Sequence, residues 1–268
     1  MGGRLMKSSL ITRRSLIRAS LTGVASVSLA GCNAFDFLSD QGSSVRGAIA
    51  SMNNLTYRAQ RLLISRDRLA PEFTQADIRQ SQHPNGSTDP DTEEYLALKA
   101  DNFSSYRLNV AGLVDTPLNL SLDDLKALPS RTQITRHDCV EGWSTIAKWK
   151  GVPLRAVLEK AGVKTSGRYL LFRCYDVLSS GLSGPDLYYE TIDLVDAFHP
   201  QTILAYEMND KPLPIENGAP LRVRIERQLG YKMAKYIKSI EVVTGFETVN
   251  GGYGGYWEDR GYDWYAGI

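Results

Sequence analysis

Leu221-Arg222-Val223-Arg224-Ile225 alternates apolar and cationic side chains residue by residue, a period only a β-strand can present as two distinct faces. Comparable short runs recur along the chain. Tyr106–Val110 reads as a strand ending at Gly112, and residues 131–138, Arg168–Tyr175, 202–207 and Ile237–Val243 read as further strands. Brief helices lie between them. Ser121 followed by Asp124 is a near capping box opening a helix over Leu122–Leu128, which Pro129 stops. Pro153 suits a helix first turn, and Leu154, Val157, Leu158 and Ala161 mark one helical face closed by Gly162. A third helical piece is expected near Ile192–Ala197. Two stretches rich in Gly, Ser, Pro, Asn or Asp, 82–92 and 179–185, read as loops. Short strands with scattered helices predict an α+β domain built on a mixed sheet rather than a regular βαβ series. No G-x-G-x-x-G follows a strand, so a dinucleotide fold has no support, and no internal repeat is present.

With 268 residues the chain has room for one large domain or two small ones. A net charge of +1 argues against a general nucleic-acid binder, and 43% hydrophobic residues argue against wholesale disorder. The first 31 residues are set apart. Arg13 and Arg14 precede an uncharged stretch, Ala19 to Gly31, too short for a bilayer span of about 20 residues but suited to a signal peptide. The paired arginines match the address for export of folded proteins. Leu29-Ala30-Gly31-Cys32 is similar to a lipoprotein cleavage box, which would make Cys32 a lipidated residue; ordinary cleavage near the same place is the alternative. The expected organisation is a signal peptide over 1–31, a linker or peripheral segment over 32–75, the ordered domain over 76–245 and a Gly- and aromatic-rich tail over 246–268. Within the linker, Arg58, Arg61 and Arg68 with Leu62, Leu63 and Leu69 suggest a short helix. The tail is aromatic enough to pack back on the domain and to line a substrate mouth.

Three cysteines are present: Cys32, Cys139 and Cys174. In an oxidising compartment a Cys139–Cys174 disulfide is one reading of the last two. The other starts from position: Cys139 ends a β-prone run and opens into Glu141-Gly142-Trp143, where a strand end offers its sulfur to a site. Cys174 sits instead in an apolar strand-like run. The histidines His83, His137 and His199 show no metal-ligand spacing, which disfavours zinc.

Three segments together resemble the molybdopterin-dependent sulfite-oxidase family. They are Cys-Val-Glu-Gly-Trp-Ser at 139–144 with Trp149 and Gly151, the run 197–222 from His199-Pro200 through Leu213-Pro214 to Asn217–Arg222, and Gly230–Ile240 with its lysines. The likeness is greatest to the exported bacterial branch that includes methionine sulfoxide reductase catalytic subunits. It implies a molybdopterin domain with Cys139 as the molybdenum ligand, a soft donor for a soft metal. It also implies that Asn85, Cys174, Asn217, Arg222, Met233, Ala234 and Lys235 hold the pterin and its phosphate, Lys235 being the expected phosphate contact. Where the family often has a threonine, this chain has Cys174. The 25 residues after Val243 are too few for the sandwich of about 100 that sulfite oxidases add for dimerisation, so no such C-terminal domain, and a monomer, is expected. Arginines that in sulfite oxidases receive an anion are absent from 140–147. Sulfoxide or N-oxide reduction by oxygen-atom transfer is therefore expected over sulfite oxidation. No C-x-x-C-H or iron–sulfur cysteine set occurs, so electrons must come from a separate partner such as a membrane haem protein or a cytochrome. The alternative is a lipid-anchored periplasmic binding or scaffold module with the Cys139–Cys174 bridge.

Overall fold

A computed structural model describes residues 44–181 and 184–268. The signal region with Arg13, Arg14 and Cys32 lies outside the described residues. The chain divides into Met1–Ile49 and Ala50–Ile268. Of the first unit only the opening residues of helix α1 (Ser44–Leu63) are described.

Among the described residues, ten strands form two sheets. The first has the order β2 (Leu118–Leu120), β1 (Leu108–Gly112), β10 (Ile237–Val243), β5 (Tyr169–Gly181), β6 (Gly184–Asp193), with β1 and β10 parallel and the other pairs antiparallel. The second runs β3 (Arg131–Asp138), β4 (Ser144–Pro153), β7 (Ile203–Met208), β8 (Lys211–Pro212), all antiparallel, and β9 (Arg222–Arg224) pairs with the far part of β7. The fold is thus the expected α+β type, with one mixed and one antiparallel sheet.

Period-two alternation joins the sheets. Along β7, Leu204 and Tyr206 enter the main core, where they meet Leu108 and Val110 of β1, Phe172 of β5 and Ile240 of β10. Ile203 and Ala205 face the other way, into a smaller cluster around Trp149. The central part of the second sheet is therefore buried on both faces, which fixes its register. Helix α4 (Leu154–Ala161) adds Leu154, Val157, Leu158 and Ala161 to the main core and ends at Gly162 in the left-handed region, φ +70°. Helix α3 (Leu122–Ala127) opens on the expected capping box: Asp124 N–H donates to Ser121 Oγ at 3.0 Å, and Ser121 N–H to Asp124 Oδ2 at 2.9 Å. Helices α2 (Glu93–Ala100) and α5 (Leu194–Ala197) are the remaining α-helices among the described residues.

Two departures from the sequence reading matter for the site. The residues from Ser144 to Pro153 form a ten-residue strand, β4, and β5 runs on through Ser179 and Ser180, paired with Asp186 and Pro185 of β6, where a loop was expected. Helix α1 is longer than expected and stops at Leu63, before Arg68 and Leu69. Leu62 and Leu63 stay 84% and 81% exposed. What anchors its end is polar: Tyr57 Oη donates to Asp193 at 2.8 Å, and the Arg61 guanidinium grips Asp193 and Asp196 at 2.9 and 2.7 Å. The chain after it runs along the second sheet, where Phe73 N–H donates to the Ile134 carbonyl at 2.8 Å.

Candidate active site

Strands β3 and β4 form a hairpin whose ladder closes at Asp138 and Ser144, leaving Cys139–Trp143 as the tip. Cys139 N–H donates to the Trp143 carbonyl at 2.9 Å, and Gly142 N–H to the Cys139 carbonyl at 3.0 Å. Gly142 takes φ +87°, a turn geometry other residues resist. The tip thus presents a half-buried thiol on a rigid two-strand support. Burial pushes the Cys139 thiol up, with the Glu141 carboxylate adding to the effect; Glu141 Oε2 stands 3.8 Å from the sulfur. The same oxygen accepts from the Trp143 indole N–H at 3.0 Å, and Trp143 itself sits between the rings of His83 and His137, at 4.6 and 5.6 Å.

The sulfur faces a cavity of about 110 Å³. Asn85, Gly86 and Ser87 form one wall, contributed by the irregular loop before α2, and Met233 and Lys235 form another. Asp176 and Tyr188 come from β5 and β6, and Trp257 and Tyr262, stacked at 5.3 Å, come from the tail. Behind Asn85 lies Arg222, buried on β9, with one guanidinium nitrogen 3.5 Å from Asn85 Oδ1 and another donating to the Asn217 carbonyl at 2.9 Å. Its Nε has no partner among the described residues. Two buried arginines stand on the same face of β9, and the Trp149 ring lies between them, 5.1 Å from Arg222 and 4.5 Å from Arg224. Their electrostatic situations differ. Arg224 is matched by Glu226 at 2.7 Å and donates to His137 Nδ1 at 2.8 Å. Arg222 has no carboxylate partner among the described residues, and burial together with Arg224 lowers its pKa to about 9.

Lys235 repeats that condition. Its ammonium donates to the carbonyls of Ser87 and Glu216, at 2.5 and 3.0 Å. Burial first, and Arg222 second, lower its pKa to about 7. Gly218, at φ +112°, makes the arrangement possible, because a Cβ there would stand 3.0 Å from Lys235 Cβ and 3.3 Å from Arg222 Cβ. Opposite them, burial raises Asp176 to about 6 while Ser87 Oγ donates to it at 2.6 Å. Two buried cations held only by carbonyl and amide oxygens, one with an orphaned Nε, are costly unless an anion completes them. A thiol and one such cation lining a cavity, with the second cation behind its Asn85 wall, fit a phosphate-bearing dithiolene cofactor, the thiol as the soft metal donor and the cations as phosphate partners.

A family model described as the oxidoreductase molybdopterin-binding domain matches residues 95–248. The chain belongs to this family. It is a molybdenum-cofactor oxidoreductase of the sulfite-oxidase type. A candidate protein-methionine-sulfoxide reductase subunit, YedZ1 of Azospira oryzae, is 35% identical over 95% of this chain and 87% of its own. The protein-methionine-sulfoxide reductase catalytic subunit MsrP of Xanthomonas axonopodis is 36% identical over 57% of this chain and 49% of its own, so the chain spans about half the length of that relative. Among solved structures, the sulfane dehydrogenase SoxCD of Paracoccus pantotrophus is 23% identical, covering 53% of this chain and 39% of that one with a TM-score of 0.46.

Within this molybdopterin domain, the residues expected from sequence fall into three groups. Cys139, Asn85, Met233 and Lys235 line the cavity, and Arg222 and Asn217 stand immediately behind Asn85. Ala234 is fully buried and its carbonyl accepts from Val223 N–H at 2.9 Å, so it fixes the path of the segment. Cys174 is 1% exposed, opposite Ile237 in the first sheet, and does not line this cavity. Both Cys139 and Cys174 are free thiols. The neighbouring lysine, Lys232, is neutralised by Glu190 and Glu258, each at 2.5 Å, which leaves Lys235 as the cation available to a phosphate. Sequence reasoning missed Ser87, Asp176, Tyr188 and Tyr231. Only Asp176 carried a signal, a carboxylate two residues past Cys174 at the end of an apolar run.

Proposed function

We propose that this domain reduces a sulfoxide, with Cys139 ligating molybdenum, Asn85, Met233 and Lys235 lining the pterin site, Asn217 and Arg222 standing behind it, and Cys174 and Ala234 as buried supports of the site rather than contacts. The observation that carries the reading is the thiol at a rigid hairpin tip facing a cavity lined by the carboxylate-free cation Lys235, with a second such cation, Arg222, directly behind its Asn85 wall. When bound, the molybdopterin centre exchanges an oxygen atom and two electrons with a substrate. The chain's own residues do the rest. Arg222 and Lys235 bind and neutralise the phosphate, and Asn85 positions its neighbour Arg222. Reduction of a sulfoxide to a thioether consumes two electrons and two protons and releases water. Glu141, oriented by the Trp143 indole at the tip, is placed to hand on a proton at the cavity. Trp257 and Tyr262 supply an aromatic side to the cavity.

Sulfite fits poorly. With Lys235 committed to the cofactor phosphate, the charged residues left lining the cavity are Glu141 and Asp176, a balance that disfavours a dianionic substrate. The names of the relatives point the same way, toward methionine sulfoxide in proteins. Electrons would come from a separate membrane haem protein or cytochrome, in keeping with "subunit" in the relatives' names. The Arg13–Arg14 signal supports a periplasmic location, with lipidation at Cys32 as the proposed anchor; among the described residues no helix is long and apolar enough to cross a membrane.

The test is a substrate screen on molybdenum-loaded protein with a dye donor or acceptor, using free and peptide-borne methionine sulfoxide, an N-oxide and sulfite. Turnover of the sulfoxides with about one molybdenum per chain is expected. Oxidation of sulfite at a comparable kcat/KM would overturn the substrate assignment, and turnover without molybdenum would overturn the whole reading.

A further inference from the structure

A second cavity, of about 400 Å³, shares no residue with the first. Its size lies within the range of small-molecule sites. Ile64, Leu69, Pro71, Phe73 and Val195 give it apolar walls, and Thr135 of β3 faces it from the second sheet. The side chain of Thr135 is buried, and its Oγ1 has no hydrogen-bond partner among the described residues. Arg61 also lines the cavity; two of its nitrogens are taken by Asp193 and Asp196, and its buried Nε has no partner among the described residues. Unsatisfied buried donors cost stability unless something completes them.

The charges around the cavity are unbalanced. Arg136 is matched by Asp138, Arg227 by Asp196, and Glu226 by Arg224. Arg66 and Arg68 line the rim with no acidic partner among the described residues. The strap that carries them is tied down. His199 Nδ1 accepts from Gln201 N–H at 3.2 Å, so Nε2 carries the proton and donates to the Arg68 carbonyl at 3.0 Å. Gln201 bonds Ala70 in both directions, at 2.7 and 3.1 Å. Those tethers hold the cavity open as a preformed site rather than a groove between loose segments.

We propose that this cavity binds an organic anion with an apolar body, a carboxylate or a phosphate ester. The body lies along Ile64, Leu69, Phe73 and Val195. The head group satisfies Thr135 Oγ1 and Arg61 Nε within the field of Arg66 and Arg68. Such a head can belong to a soluble compound or to an anionic lipid, and the two sources are separable.

Calorimetric titration of the full-length chain with decanoate and decyl phosphate tests the site, with decanol as the body without charge and inorganic phosphate as the head without a body. Both amphiphilic anions should bind, and decanol and inorganic phosphate should each bind at least about tenfold more weakly, the loss of one charge-assisted contact. Arg66→Gln combined with Arg68→Gln, and separately the near-isosteric Thr135→Val, should each weaken decanoate binding by about tenfold or more while molybdenum content is unchanged. Flotation with phosphatidylglycerol vesicles, but not phosphatidylcholine vesicles, lost in the arginine double variant, would identify the source as a lipid head group. Decanoate binding without flotation would identify a soluble anion. Equal affinity for decanol and decanoate, unchanged affinity in the arginine double variant, or no binding of either anion at millimolar concentration would overturn the proposal.

Discussion

A thiolate and a hydroxyl differ in softness far more than in size, so Cys139→Ser tests the metal-ligand role with little disturbance to the hairpin tip. Turnover should fall by more than the roughly 10–100-fold typical of residues that merely support a ligand, with an unchanged circular dichroism spectrum. Cys174→Ser should behave differently. The buried thiol becomes a hydroxyl without a designed partner, costing about 1–3 kcal/mol in denaturant unfolding, while sulfoxide turnover stays within a few-fold. Equal loss of activity from both substitutions would contradict the separation of the two cysteines seen in the fold. Lys235 offers a test that needs no turnover. Its folded pKa of about 7 lies below the ordinary 10.5 because burial and Arg222 disfavour the ammonium. Between those values the unfolded chain holds a proton that the folded, cofactor-free chain has released, so folding stability should rise with pH across this window. The slope from this one group can approach about 1.4 kcal/mol per pH unit. Below pH 7 its contribution is flat. A bound phosphate favours the ammonium and should remove the slope, as should Lys235→Met. Urea titrations of cofactor-free wild type, loaded wild type and the variant between pH 7 and 9.5 separate these cases, and identical slopes in all three would count against Lys235 as the phosphate partner.

At the scale of elements, β4 decides how well the site is built, because it carries Trp149 under the two arginines and ends at the Cys139 tip. It lies so close to β7 that a Cβ on Gly151 would stand 2.1 Å from the Leu204 carbonyl oxygen and 2.6 Å from Ala205 Cα. Gly151→Ala must therefore separate two backbones buried on both faces. We expect a loss of about 2–4 kcal/mol in denaturant unfolding and poorer molybdenum retention, with the remaining loaded fraction turning over normally. This strand was also the least legible in the sequence. It alternates in burial, but its inward residues are Thr145, Ala147, Trp149 and Gly151, mostly small or polar, while Ile146 points partly outward. Period-two reading looks for a run of large apolar side chains, and here only Trp149 is one in register. Strand β10, and α4 with its Gly162 stop, were readable to the residue because each has one clearly apolar face, and β3, whose buried side chains are the polar Gln133, Thr135 and His137, was readable from its β-prone run between Pro129 and Cys139. Helix α1 was misjudged for the converse reason: its leucines are exposed and its anchor is Arg61. The site was legible where the sequence carries specific motifs, at Cys139 and from Asn217 to Lys235. It was not legible at Asp176, Ser87 and Tyr188, which only the meeting of β5, β6 and the loop before α2 brings together.

Across the whole molecule, the segment after Val243 ties the first sheet to the cavity. The Gly255 backbone bridges to Glu190 of β6, Tyr256 N–H donates to the Tyr189 carbonyl at 3.0 Å, and Trp264 Nε1 donates to Thr191 Oγ1 at 2.8 Å. Phe246 stacks on Trp264 at 5.6 Å, and Glu258 holds the buried Lys232 together with Glu190. Each tether is far along the chain from its partner, so the tail forms part of the domain's structure. It delivers Trp257 and Tyr262 to the cavity wall on that rigid mounting, where their rings offer neither a soft metal donor nor a cation for a phosphate. Trp257 should therefore govern what enters rather than what holds the cofactor. Trp257→Ala removes a large aromatic wall from the cavity while keeping the backbone that carries Glu258. Molybdenum content and the melting temperature should change little, and KM for small sulfoxides should rise about 10-fold or more as apolar contact is lost, with kcat nearly unchanged. For peptide-borne methionine sulfoxide the rise should be smaller, since residues beside the sulfoxide make contacts outside the cavity. A proportional loss of kcat with KM constant, or loss of molybdenum from Trp257→Ala, would place this tryptophan in the catalytic or cofactor-binding machinery and refute its role at the mouth.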